Sequence, residues 1–153
     1  MRRKDKELTD ARLIENILEE AEVIRLAMVD EGEPYLVAMN FAYADGAIFL
    51  HSALEGRKVD ILKKNDRVAF QTETDMKILL EPEACNCTTQ YKSVSGSGRA
   101  VLVSEKQEKI KALDAIMKKY SGRTGFEYPD AALNKTLIIR VDIDRMTGKK
   151  SPA

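Results

Sequence analysis

The chain has 153 residues, 44% of them hydrophobic and 33% charged, and its 25 Lys and Arg balance 25 Asp and Glu. This composition excludes wholesale disorder and leaves no global field to gather a polyanion, so neither nucleic acid nor a membrane surface is an expected partner. No apolar run approaches the roughly 20 residues of a membrane span, the opening MRRKDKELTD leads into no apolar core, and two cysteines one residue apart make no secreted disulfide framework. A reducing cytoplasm is the expected setting.

A single domain over residues 1–153 is expected, since a chain of this length buries roughly 68–70% of its unfolded surface around one core. In chain order, the first element is an amphipathic helix over about 9–22, with Leu13, Ile14, Ile17, Leu18 and Ala21 on one face and Thr9 as its N-cap. Three strand-like runs follow, 23–29, 35–43 and 47–52, separated by the turn clusters DEGEP and ADG. These links are too short for parallel crossovers, so the strands form an antiparallel meander. Val59, Ile61 and Leu62 then fall at helical spacing in EGRKVDILKKN. Further strands are expected at 67–74, 76–83, within 95–104 and at 136–143, with a helix around Ile110, Leu113, Ile116 and Met117 and a short charged tail over about 147–153. The total is a mainly β chain with peripheral helices, whose six or seven antiparallel strands suit a small closed or split barrel, because closure removes exposed sheet edges.

Candidate chemistry is sparse. Cys85, Cys87 and His51 are too few for a zinc site, so the two thiols are read as incidental and no metal is expected. His51 is the sole histidine, no serine sits in G-x-S-x-G, and no catalytic acid or base can be named. GSGRAV at 96–101 lacks the third glycine of a dinucleotide turn, so Gly96 and Gly98 are read as strand glycines at a bend or close backbone approach. The informative segment is AIFLHSALEGRKVDILKKNDRV: a strand end, Gly56, the cations Arg57 and Lys58, and a helix start together suit a phosphate. Cations at a helix N-terminus are unfavourable alone, so an anion is expected near them. On residue type alone, Arg57 and Lys58 could instead be solvated, Met39 and Phe41 barrel core, and His51 an ordinary strand-end histidine.

The run GEPYLVAMNFAY, followed by DGAIFLHSALEGRK, NDRV and YKSVSGSGRA, resembles the FMN-binding split barrels related to pyridoxamine 5'-phosphate oxidase, especially their nitroimidazole-resistance branch. The similarity spans about Val23 to Met146. It implies a six- to seven-stranded antiparallel split β-barrel with FMN as cofactor. Arg57 and Lys58 fall where the family grips the FMN phosphate, with Gly56 permitting the approach, and His51 and Ser52 would face the cofactor. Met39, Asn40 and Phe41 fall where the isoalloxazine ring is lined. Ser93 matches a contact made across a homodimer interface, where such proteins build their cofactor sites. The implied activity is an NAD(P)H-dependent flavin oxidoreductase acting on nitroaromatic or similar small acceptors. The alternative is a non-catalytic module that binds flavin, haem or a deazaflavin as carrier, sensor or partner subunit. The chain departs from the family at Cys87, where many relatives carry an aromatic residue, and at Asp66, where proline is common.

Overall fold

The computed structural model describes residues 3–152; Met1, Arg2 and Ala153 lie outside the described residues. Strand β1 (Glu7–Leu8) leads into helix α1 (Ala11–Glu20). Asp10, not Thr9, caps this helix, its carboxylate accepting the Arg12 N–H at 2.8 Å, and α1 buries Ile14, Ile17 and Leu18. Strands β2 (Ile24–Asp30) and β3 (Glu33–Met39) are joined over Glu31 and Gly32, and β4 (Phe41–Ala44) and β5 (Ala47–Ala53) over Asp45 and Gly46. All four turn residues have positive φ, as a two-residue hairpin with right-handed strand twist requires. The expected single run 35–43 is therefore two strands, divided at Asn40, where the chain leaves the β2 ladder and joins that of β5.

Helix α2 (Arg57–Lys64) follows, then β6 (Arg67–Leu79), β7 (Thr88–Val103), α3 (Lys106–Ser121), the single turn α4 (Asp130–Leu133) and β8 (Thr136–Ser151). The two strands expected at 67–74 and 76–83 are one strand with an irregularity between Thr74 and Lys77, where Asp75 takes a positive φ. The expected charged tail is also a correction: residues 147–151 continue β8 and pair with Tyr91–Ser95, and Lys149 and Gly148 pair with β1.

Among the described residues every strand pairing is antiparallel, and the eight strands run in the order β3-β2-β6-β7-β8-β5-β4, with β1 added to β8. Its outer members β3 and β4 are consecutive in the chain and meet at Asn40 without a ladder between them, so the sheet curls back on itself but is not closed. Inward residues such as Leu26, Phe70, Val94, Ile139 and Leu50 form the main core, completed by α1 and by Ile61 and Leu62 of α2. Burying each such side chain contributes about 1.5–3 kcal/mol. A second cluster, Ala47, Phe49, Val103, Ala112 and Ile138, forms beneath α3 on the opposite face of β5.

Candidate cofactor site

Strand β5 carries its last residues to α2 through a turn that ends at Gly56. Side chains alternate along a strand, so Ile48, Leu50 and Ser52 face the main core while Phe49 and His51 face the other way. Ser52 is buried at 8% exposure, and its hydroxyl has no hydrogen-bond partner. Such an atom costs about 1–3 kcal/mol and marks a position suited to a further polar group. His51 is exposed and makes no side-chain hydrogen bond among the described residues. Since the two side chains point to opposite faces, a flat ring lying on either face of β5 meets only one of them.

Gly56 is the N-cap of α2, with φ 123°, and a Cβ added there would meet nothing within 4 Å. The glycine is required by the backbone conformation, and open space lies in front of it. The N–H groups of Val59 and Asp60 both turn back onto the Gly56 carbonyl, at 2.8 and 3.1 Å, whereas those of Arg57 and Lys58 find no acceptor among the described residues. The helix start thus presents two free N–H donors beside an open approach.

The two cations differ. Arg57 lies 3.6 Å from the Asp30 carboxylate through Nε, and its guanidinium stands 4.6 Å from the centre of the Tyr35 ring. The anion expected beside this helix start is therefore supplied in part by the protein itself. Lys58 is half-buried and makes no ion pair among the described residues. Lys64, two turns on, is held by Glu31 at 3.4 Å and by Asp30 at 4.0 Å.

Met39 is half-buried and packs against the main core together with Tyr35 and Val37. Asn40 is exposed, and its side chain donates to the Glu22 carbonyl at 3.4 Å. Phe41 is fully buried, so its ring is core and only its backbone could line a cofactor. The backbone N–H of Phe41 donates to the Tyr120 hydroxyl at 3.0 Å, and Lys119 places Nζ 3.4 Å from the Phe41 ring centre. Burial pulls the Lys119 ammonium down to about 8, whereas the ring face and the Leu18 carbonyl, at 2.9 Å, favour its charged form.

Ser93 is not brought to this group. It pairs with Lys149 on β8, whereas Ser52 pairs with Leu137, and those two partners lie twelve residues apart, about 40 Å of extended strand. Ser93 instead lies beside Glu73. A cleft of about 470 Å³ there is lined by Val23, Arg25, Glu73, Thr74 and Met76, and the buried Thr74 hydroxyl likewise has no partner. Among the described residues no three His, Cys, Asp or Glu side chains group as a metal site, and Cys85 and Cys87 are exposed free thiols on the β6–β7 connection.

Sequence reasoning missed Asp30, Tyr35, Lys119 and Tyr120. Tyr35 alternates with Val37 and Met39, a period-2 signal for the inner face, and Asp30 opens a turn cluster. For Lys119 and Tyr120, late in a distant helix, no local signal exists.

The strand order, the change of ladder at Asn40 and the helix start behind β5 define a split β-barrel with a prospective anion site at one strand end. The sequence pattern of the pyridoxamine 5'-phosphate oxidase family matches residues 10–150, and the chain belongs to that family. Among solved structures, a candidate 5-nitroimidazole antibiotic resistance protein from Bacteroides thetaiotaomicron is 32% identical, with a TM-score of 0.84 over 94% of this chain and 86% of that one. The FAD and haem binding protein of Mycobacterium smegmatis is 17% identical, with a TM-score of 0.83 over 97% of this chain and 74% of that one. An FAD-binding protein from Mesorhizobium loti is 23% identical, with a TM-score of 0.69 over 95% and 97% of the two chains. No curated protein matches the chain.

Proposed function

We propose that the protein binds FMN, with the phosphate at the start of α2, and works as an oxidoreductase on small acceptors. The observation that carries this reading is the conjunction at one strand end of a buried, partnerless Ser52 hydroxyl, two free N–H donors at Arg57 and Lys58, and the unpaired Lys58 ammonium. An anion at the two N–H donors and the Lys58 ammonium gains charge-assisted hydrogen bonds and the helix dipole together, and the Ser52 hydroxyl is left for a polar atom elsewhere on the same ligand. The resident groups therefore fit a phosphorylated flavin. Bound there, FMN would supply the redox chemistry between NAD(P)H and an acceptor such as a nitroaromatic compound. The protein's share is to bind and orient: Lys58 and Arg57 hold the phosphate, and Met39 and Ser52 offer an apolar and a polar contact near the ring-bearing end.

The same reading includes a homodimer. Ser93 faces outward on the same side of β7 as Ser95 and Ser97, too far along the sheet to reach its own Arg57, so it can serve only a cofactor gripped by a second copy. The outward row Leu36, Ala27, Ala69 and Ser97 is small-sided except for Leu36, which is 60% exposed, and a flat face of this kind admits another sheet at close range. A cytoplasmic setting is proposed from the two free thiols. No helix among the described residues is long and apolar enough to cross a membrane.

The second reading, a binding module without turnover, is favoured by the fold likeness to proteins described as binding FAD and haem. Absorption spectroscopy of the purified protein separates them. The oxidoreductase reading expects a flavin spectrum that bleaches anaerobically with NADH or NADPH and returns on adding a nitroaromatic acceptor. A Soret band in its place, or a flavin that no nicotinamide reduces, would favour the module.

A further inference from the structure

The run β3–β4 changes neighbours within three residues: Met39 is the last to pair with β2, opposite Ile24, and Phe41 the first to pair with β5, opposite Leu50. Backbone groups at such a crossing lose their ladder partners, and where buried they must find others. Here the last turn of α3 supplies them. The Tyr120 hydroxyl accepts the Phe41 N–H at 3.0 Å and donates to the Glu22 carbonyl at 2.6 Å, so a single oxygen ties the crossing to the segment between α1 and β2. The Asn40 side chain reaches the same carbonyl, at 3.4 Å. Gly122, left-handed with φ 70°, ends α3 just beyond and leaves Tyr120 at its terminus.

The position matters because of what adjoins it. Asn40 and His51 are the next residues on their strands beyond the Phe41–Leu50 pair, and Met39 and Ser52 follow them on the inner face. We propose that Tyr120 is a positioning residue for the bound flavin, its hydroxyl holding Met39–Phe41 against the ring-bearing end of the cofactor. This rests on the flavin reading given above. It also separates two ends of one site: Arg57 and Lys58 act on the phosphate, and Tyr120 acts on the part that FMN and riboflavin share.

The test is Tyr120→Phe, which keeps the ring and removes only the hydroxyl, titrated with FMN and riboflavin and followed by visible absorption of the saturated protein. FMN and riboflavin affinity should both fall by the same factor, about 5- to 10-fold for a hydrogen-bond network of this size. The absorption band of the bound flavin should also shift relative to wild type. A purely structural tyrosine would lower the melting temperature of the unliganded protein and leave the saturated spectrum unchanged, which would overturn the positioning role. Loss confined to FMN would overturn it as well, by assigning Tyr120 to the phosphate. If the wild-type protein binds neither ligand, the flavin reading falls and this role with it; if it binds both and Tyr120→Phe is indistinguishable, only the role falls.

Discussion

Asp30 changes how the anion site must work. The half-buried Asp30 carboxylate, 3.6 Å from the exposed Arg57 side chain, contributes little to stability, at most about 1 kcal/mol, yet it occupies part of the guanidinium and repels an incoming phosphate. Asp30→Asn is therefore expected to strengthen FMN binding by up to about fivefold and to leave riboflavin binding unchanged. Isothermal titration with both ligands reads this directly, and weaker FMN binding in the variant would mean that Asp30 orients Arg57 instead of competing for it. Arg57, Lys58 and Gly56 were legible in the sequence because a glycine and two cations before an apolar helical stripe form a local pattern. Asp30 and Tyr35 were not, since they reach Arg57 from strands whose register becomes known only once the sheet forms.

At the level of elements, the glycines of β7 show how closely strands and core are fitted. A Cβ on Gly98 would lie 2.2 Å from the Asp142 carbonyl oxygen of the paired strand, and one on Gly96 would lie 2.3 Å from the Phe70 ring. Gly122, in contrast, is constrained only by its positive φ, with nothing within 4 Å. Gly98→Ala is expected to destabilise the fold by about 2–3 kcal/mol, because backbone cannot move aside, and Gly122→Ala by only about 1 kcal/mol. Urea unfolding of the two variants measures the difference, and equal losses would contradict the close approach at Gly98. Of the two sequence readings of Gly96 and Gly98, a bend or a close backbone approach, this geometry matches the second, with the Arg145 and Asp142 carbonyl oxygens 2.6 and 2.2 Å from the added Cβ atoms. The same reading stopped the last strand at residue 143, because Asp144, Arg145 and Lys149 look like solvated residues when taken singly. They are outward positions of a strand whose inward ones include Ile139, Val141 and Gly148, and the shift between Ser97 and Gly98, which leaves Asp144 unpaired, breaks the period that would have revealed it.

For the whole molecule, the distance along the sheet between Ser52 and Ser93 means that the proposed site takes in Ser93 only if two copies assemble. Light scattering of the flavin-loaded protein should give twice the chain mass of 17.2 kDa. Leu36→Arg, which places a charge on the outward row of β3, should produce a folded monomer with weakened flavin binding. A flavin-loaded wild-type monomer would remove Ser93 from the site. The barrel class was legible because the turn clusters and short links force antiparallel neighbours. The way the open sheet curls back was not: β3 and β4 meet at Asn40, beside a Tyr120 bridge from a helix some eighty residues away.

The central claim is that the phosphate of FMN sits on Arg57 and Lys58. One charge-assisted hydrogen bond to it should contribute about 1.5–3 kcal/mol, or about 10- to 150-fold in affinity. Calorimetric titration of Arg57→Ala, Lys58→Ala and the control Lys63→Ala, each with FMN and with riboflavin, tests this most directly. The account predicts large losses of FMN affinity in the first two variants, unchanged riboflavin affinity in all three and little effect at Lys63, which lies more than a turn further along the helix; equal losses for the two ligands, or none at either Arg57 or Lys58, would contradict it.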